Sequence, residues 1–160
     1  MFKIGDYIAH PMHGAGVIES IVTKKINGSQ RDYYVLKLPV GDMVVMVPVS
    51  GCEDIGVRSI ISRSEAEKLF SAFSEIKISM TQNWNKRYRE NMDKIKSGNL
   101  LDVASVVKGL MCRDSERGLS TGERKMLHSS KQILISELVI ATDMDYDGVE
   151  KRLCAALKEG

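Results

Sequence analysis

The sequence predicts an α+β protein of two domains, with a small antiparallel β domain followed by an all-α domain. In roughly the first 60 residues, β-branched and aromatic runs alternate with turn residues, as in short strands. After Ser62 the apolar residues recur at helical spacing instead. Of the 160 residues, 43% are apolar, enough for one ordinary domain or two small ones. We therefore expect a β domain over 1–62 and a helical domain over 63–160.

The amino-terminal domain should contain about four or five short strands. Asn27-Gly28 lies between the second and third runs and strongly indicates a tight hairpin. Val40-Gly41-Asp42 indicates another tight reversal before the fourth run. A flat open sheet of this size would expose a hydrophobic face, so we expect a small SH3- or Tudor-like β-barrel. The expected strands cover residues 7–10, 16–23, 33–38 and 43–48.

The carboxy-terminal domain should be a compact bundle of about five short helices. Ser64 and Glu67 have the spacing of a capping box at the start of the first helix. Ser120 and Glu123 have the same spacing at the start of the fourth. The second helix is expected from Asn83 to Gly98, and the third from about Leu100 to Arg117, before Gly118. Both end at a glycine, which suits the left-handed position after a helix. The fifth helix should cover 147–158.

Charge limits the possible partners. The net charge of +2 is too small for bulk attraction to nucleic acid, so such binding would need a local concentration of cations. One occurs in residues 86–96, where five lysines and arginines accompany two acidic residues. The opposite pattern occurs in residues 143–150, which hold four acidic residues. We expect that second segment to avoid phosphates.

The single tryptophan, Trp84, lies at a predicted helix start, and three of the next five residues are cations. Asn83 is a good N-cap, so Trp84 would occupy the first turn and could project outward. An apolar ring beside cations suits a protein that presses against DNA while holding phosphates. The alternative is core packing, which periodicity alone favours because an amphipathic stripe is formed by Trp84, Tyr88, Met92 and Ile95.

Several apparent metal or catalytic motifs are weak. His10, His13 and Cys52 match no tetrahedral zinc spacing, and the histidines are interpreted as flanking a turn. The segment 143–148 resembles the start of an EF-hand calcium loop, but the twelfth position is Cys154, which favours a solvated helix start. No nucleophile accompanies a histidine and an acid at a recognisable spacing. We therefore expect no metal, no cofactor and no catalysis.

The remaining composition indicates a cytoplasmic protein. Cys52, Cys112 and Cys154 are far apart and form no C-x-x-C pair, which favours reduced thiols. No apolar run approaches the roughly 20 residues that span a bilayer. The amino terminus also lacks the long apolar stretch of a secretory signal.

Five segments, in order along nearly the whole chain, resemble the CarD/CdnL family of bacterial transcription regulators. They are Phe2-Lys3-Ile4-Gly5-Asp6, His10-Pro11-Met12-His13-Gly14, Val44-Val45-Met46-Val47-Pro48, Asn83-Trp84-Asn85-Lys86-Arg87-Tyr88 and Arg113-Asp114-Ser115-Glu116-Arg117-Gly118-Leu119-Ser120. The amino-terminal half alone also resembles the polymerase-binding domain of the bacterial transcription-repair coupling factor. The tryptophan helix and the Arg-Gly-Leu-Ser connection separate the two.

The resemblance implies a non-enzymatic factor that docks its barrel on the RNA polymerase β subunit and its helical domain on promoter DNA. It would stabilise the open promoter complex. Trp84 would act as a wedge in the minor groove at the upstream edge of the transcription bubble, while Lys86, Arg87 and Arg89 hold the DNA backbone.

The resemblance also implies a polymerase contact along an exposed strand edge of the barrel. The positions that match the family's contact residues are Lys24, Ile26 and Met46. Met46 stands where some relatives carry arginine, so a salt bridge is not expected at this position. A methionine can supply an adaptable apolar contact instead.

Other functional classes remain open at this point. A protein-interaction adaptor would use Trp84 as an aromatic anchor for a second protein, without DNA contact. A polymerase-binding module related to transcription-repair coupling would share only the barrel. A small metal-dependent enzyme would purify with stoichiometric metal.

Overall fold

The computed structural model describes residues 1–39, 43–78 and 81–159. In these residues five strands precede five helices, confirming the α+β class. The strands are β1 (Tyr7–His10), β2 (Gly14–Ile26), β3 (Ser29–Lys37), β4 (Val44–Pro48) and β5 (Arg58–Ser59). The helices are α1 (Arg63–Glu75), α2 (Trp84–Lys96), α3 (Leu100–Arg117), α4 (Thr121–Thr142) and α5 (Tyr146–Glu159).

The strands form one antiparallel sheet in the order β4-β3-β2-β1-β5. The predicted hairpin between β2 and β3 is confirmed, with φ of 52° at Asn27 and 81° at Gly28. Two positive φ values are what a mirror-image hairpin turn requires. Both strands run further toward this turn than expected, because their paired polar tips lack the apolar alternation that marks a strand. The reversal expected at Val40-Gly41-Asp42 lies outside the described residues.

The β domain has its own apolar core on the inner face of the sheet. The hydroxyl of Tyr34, at the centre of this core, accepts a hydrogen bond from the backbone N–H of Phe2 at 3.1 Å, which ties the amino terminus to β3. The buried residues of this core are Ile8, Ile18, Tyr34, Leu36, Leu38, Val47, Cys52 and Val57.

Helix α1 begins with a different capping box from the expected one. The Ser62 side chain accepts from Glu65 N, and Glu65 reaches back to Ser62 N. The expectation of a Ser64–Glu67 box was wrong because two Ser-x-x-Glu patterns overlap here and the earlier one is used. Glu67 instead forms an ion pair with Arg152 of α5 at 2.8 Å.

The other helix ends follow their local signals. Helices α2 and α3 end before Gly98 and Gly118, whose φ angles are 78° and 76°, so both glycines adopt backbone that other residues avoid. The Asp145 side chain accepts from Gly148 N at 2.8 Å at the start of α5. This acidic segment therefore caps a helix, as the solvated-start interpretation predicted.

The helical domain packs around α3 and α4. Lys108 of α3 is buried and donates 2.8 Å hydrogen bonds to the carbonyls of Ser74 and Ile76, which caps the carboxyl end of α1. Because those carbonyls have no partner within α1, this buried cation satisfies them. The most enclosed apolar residues are Ala66, Phe73, Ala104, Val106, Val107, Leu110, Leu134, Ile135, Leu138 and Val149.

The two domains are joined through α4. Ser136 Oγ accepts from the backbone N–H of Ala15 on β2 at 2.9 Å. The buried Glu137 carboxylate receives two hydrogen bonds from Arg58 of β5, at 2.7 and 3.0 Å, and one from Ile61 N at 2.8 Å. These contacts fix how the sheet lies against the helical bundle.

Candidate nucleic-acid interface

Trp84 lies in the first turn of α2, as the sequence predicted. The Asn83 side chain accepts from Lys86 N at 3.0 Å and caps the helix. Trp84 is 43% exposed, whereas Ile95 at the other end of the apolar stripe is 3% exposed. Tyr88 and Met92 are half-buried against the helical core. The residues in the later turns of α2 therefore pack against the core, whereas Trp84 in the first turn projects outward.

Neighbouring groups hold the indole on two sides. Tyr88 stacks on one face, with ring centroids 5.2 Å apart and 19° between the ring planes. Nε1 donates to Ser120 Oγ at 3.1 Å, just before α4. A Cβ placed on Gly122 would lie 3.4 Å from Trp84 Cζ2, so this same edge of the ring runs along the α4 backbone. With 43% of Trp84 exposed, part of the residue remains accessible to a partner.

Lys86 and Arg89 are exposed on the helix that carries Trp84, but Arg87 is not. Its side chain is 2% exposed, and its guanidinium hydrogen-bonds the carboxylate of Glu123 at 2.8 and 3.2 Å. This position corrects the expectation that Arg87 holds the DNA backbone. Residue 87 shares the inward face of α2 with Asn91 and Ile95, four and eight positions later.

Glu123 is the electrostatic centre of this region. Hydrogen bonds from Arg87 are the main cause that lowers the pKa of its carboxyl, and the charges of Arg87 and Arg113 add to the effect, against the opposing influence of burial. The Arg113 Nε lies 3.9 Å from the carboxylate. Glu123 is therefore ionised at neutral pH, and its buried ion pair with Arg87 links α4 to α2.

Two further exposed cations follow a few residues after Ser120, the hydrogen-bond partner of Trp84 Nε1. Arg124 and Lys125 are exposed in the first turns of α4, the helix whose N-cap Ser120 binds Trp84. Sequence analysis did not single out either residue, because the hydrogen bond between Trp84 and Ser120 joins segments that are 36 residues apart. The Gly-Glu-Arg-Lys run after the capping serine was the one available signal.

The three expected polymerase-contacting residues share one face of the sheet but do not form a cluster. Lys24 and Ile26 lie at the hairpin tip, opposite Arg31 and Ser29, whereas Met46 lies on the edge strand β4 opposite Val35. We call this the outer sheet face, and it comprises Val22, Lys24, Ile26, Tyr33, Val35 and Met46.

The outer sheet face is more apolar than the sequence suggested. Val22, Tyr33 and Val35 are half-buried, while Ile26 is 46% and Met46 37% exposed. Sequence analysis did not place Val22, Tyr33 and Val35 on this face. The face on which they lie depends on the strand register and on its irregularity between Ile18 and Ser20.

The remaining candidate motifs form no further site. The His10 and His13 rings lie 4.5 Å apart, and His10 Nδ1 accepts from Met12 N. Burial, followed by the charge of His13, lowers the pKa of His10. Within residues 1–39, 43–78 and 81–159, three or more metal-ligating side chains nowhere gather in a way that could hold an ion. In the same part of the chain, every helix is too short or too polar to cross a membrane.

Comparison with known proteins agrees with this arrangement. Residues 2–61 match the family model described as the CarD-like/TRCF RID domain, and residues 68–154 match the CarD C-terminal domain. A protein of Bacillus subtilis (strain 168) named "Putative transcription factor YdeB" is 36% identical over 140 residues, which cover 88% of this chain and 92% of that protein. These matches define a transcription factor with an RNA polymerase-interacting domain. The chain belongs to the CarD/CdnL family.

Proposed function

We propose that this protein binds the RNA polymerase β subunit through its outer sheet face and promoter DNA through the first turn of α2, and thereby stabilises the open promoter complex. The observation that carries the DNA contact is the half-exposed indole of Trp84, which the first turn of a helix presents beside exposed cations. The DNA site is the minor groove at the upstream edge of the transcription bubble.

An apolar wedge distinguishes melted from intact DNA. Inserting a ring into an intact duplex costs a few kcal/mol of unstacking, whereas the edge of a bubble is already distorted. The exposed part of Trp84 would therefore gain more from the open state than from the closed state. A ligand with that differential affinity shifts the equilibrium toward opening without chemistry.

Phosphate contacts would come from exposed cations on α2 and α4. Lys86 and Arg89 lie on α2, and Arg124 and Lys125 lie at the start of α4. Neutralising phosphates releases counterions, so this part of the affinity should fall with salt and depend little on sequence. Arg87 has no part in this contact, because Glu123 occupies its guanidinium.

The polymerase contact is assigned to the β4 side of the sheet. Strand β4 is an edge strand, so an extended segment of the partner can add to it through backbone hydrogen bonds. Met46 and the half-buried Val35 offer apolar contact beside that edge, and Lys24 offers a cation at the hairpin tip.

Promoter opening by purified bacterial RNA polymerase, with wild type or Trp84→Ala, tests the function. We expect Trp84→Ala to keep its fold and polymerase affinity but to lose open-complex stabilisation. Leu101→Ala is the matched control, because Leu101 is a 50% exposed apolar residue in the first turn of α3. The proposal fails if Trp84→Ala stabilises open complexes as wild type does, or if it unfolds. Salt-independent binding without DNA crosslinks at Trp84 would support the adaptor class instead.

A further inference from the structure

We propose that Ser120 is a positioning residue that holds the Trp84 indole ready to meet opened DNA. This inference rests on the proposed function, because it concerns the same ring. It adds to that function a residue that does not itself need to touch DNA. Ser120 is the N-cap of a different helix from the one that carries Trp84, and 36 residues separate them in the sequence.

The Ser120 hydroxyl uses its full hydrogen-bonding capacity at this point. It accepts from Trp84 Nε1 at 3.1 Å and from Glu123 N at 3.2 Å, and it donates to Glu123 Oε1 at 3.4 Å. A serine hydroxyl has one proton to donate and two lone pairs to accept with. Both lone pairs and the proton are therefore engaged, and the oxygen that receives the indole N–H is fixed in place.

The hydrogen bond between Trp84 and Ser120 is part of a network that links α2 to α4. Glu123, which orients Ser120, is bound by Arg87 at 2.8 Å. Arg87 lies one turn after Trp84 on the same helix, and its Nη1 also donates to the carbonyls of Thr81 and Gln82 just before that helix. The helix that carries the ring and the serine that holds the ring are thus tied to one buried ion pair.

A fixed ring binds more tightly than a mobile one. A half-exposed tryptophan in a first helical turn would otherwise sample several rotamers and lose that freedom when it met DNA. The hydrogen bond to Ser120 and the stack on Tyr88 remove most of this freedom before binding. Preorganisation of this kind raises affinity without adding contacts to the ligand.

The test uses the full chain with three substitutions. Ser120→Ala removes the hydroxyl, and Ser120→Thr keeps it. Ser62→Ala is the matched control, because Ser62 is also an N-cap serine paired with a glutamate three residues later, but it caps α1 and contributes no bond to Trp84. Since Trp84 is the single tryptophan of the chain, fluorescence anisotropy reports the mobility of this ring alone. Open-complex lifetime and polymerase affinity are measured on the same proteins.

We expect Ser120→Ala to lower the anisotropy and to shorten the open-complex lifetime by roughly two- to tenfold, which corresponds to the loss of one hydrogen bond. Polymerase affinity should not change. Ser120→Thr should restore both readouts, and Ser62→Ala should leave both at wild-type values despite losing a cap.

The positioning role is overturned if Ser120→Ala keeps the wild-type anisotropy, or if it keeps the wild-type lifetime while Trp84→Ala does not. An equal loss in Ser62→Ala would also overturn it, because the cause would then be general destabilisation. The failure of the proposed function is distinct from these results, since it appears as wild-type behaviour of Trp84→Ala itself.

Discussion

Arg87 and Glu123 form a bidentate ion pair inside the helical domain, with Arg87 Nε 2.8 Å from one carboxylate oxygen and Nη2 3.2 Å from the other. Both side chains are almost completely buried. The pair joins α2 to α4 directly beneath Trp84 and Ser120. Its integrity therefore bears on stability as well as on the exposed ring.

Replacing Arg87 should destabilise the fold far more than replacing its neighbour. Arg87→Ala leaves the Glu123 carboxylate buried without its main partner, and we expect a loss of about 3 kcal/mol. Lys86→Ala removes an exposed side chain and should change stability by less than about 0.5 kcal/mol. Urea unfolding of both variants measures the difference. Equal stability of the two would show that the ion pair is not needed for folding.

Stability should fall with acid through Glu123. Because Arg87 lowers the pKa of this carboxyl in the folded state, the folded protein takes up the proton less readily than the unfolded chain. The stabilisation is therefore complete above the ordinary glutamate pKa of 4.5, and it is lost as the pH falls below that value through the lower folded pKa. Unfolding measured from pH 7 to about pH 3 should show this loss.

Glu123→Gln provides the comparison for the acid effect. This variant should be less stable at neutral pH and should vary less with pH. The pKa values of Glu65 and Glu67 are also lowered, by hydrogen bonds from Ser62 and Arg152, but both residues remain in the variant. The difference between the two pH profiles therefore isolates Glu123, and parallel profiles would contradict the assignment.

A methyl group at Gly14 should disturb the contact between the domains. Gly14 has a φ of 94°, and an added Cβ would lie 2.5 Å from Ser136 Oγ. Gly5 has a φ of 95° with nothing within 4 Å of such a Cβ, so Gly5→Ala isolates the backbone strain of about 1–2 kcal/mol. Thermal unfolding should show a larger loss for Gly14→Ala. An equal loss would mean that α4 can move away from the sheet without penalty.

Adjacent lysines at the hairpin tip should differ in their effect on polymerase affinity. Lys24 lies on the outer sheet face, and Lys25 points to the opposite side of β2. We expect Lys24→Glu to weaken binding to RNA polymerase and Lys25→Glu to leave it nearly unchanged at moderate salt. Equal weakening would indicate long-range electrostatic attraction instead of a contact on this face.

The sequence predicted the features that short-range chemistry decides. The Asn27-Gly28 turn, the Asn83 cap and the glycines at 98 and 118 each need only their immediate neighbours to act. The position of Trp84 at a helix start followed from the same logic, so its exposure could be anticipated. The overlapping capping boxes were the exception, because Ser62 and Ser64 both fit the local rule.

Features that depend on packing between distant segments could not be read in advance. Because Arg87 is a charged residue within a run of cations, we expected it to be exposed to solvent. Its burial is explained only by Glu123, its ion-pair partner 36 residues away in the sequence. Likewise, Ser136 and Glu137 bind Ala15 and Arg58, which lie more than 70 residues away in the sequence, so no local pattern indicates these partners.

Helix α4 connects the tryptophan region to the β-sheet. Its cap, Ser120, holds Trp84, and sixteen positions later Ser136 holds β2, so about 24 Å of continuous helix separates the two attachments. The length of this helical segment therefore sets the distance between the sheet and the Trp84 ring. Under the proposed function, a sheet bound to polymerase would place the indole at one fixed distance from the enzyme, so the helix length and not the base sequence would set where the ring enters DNA.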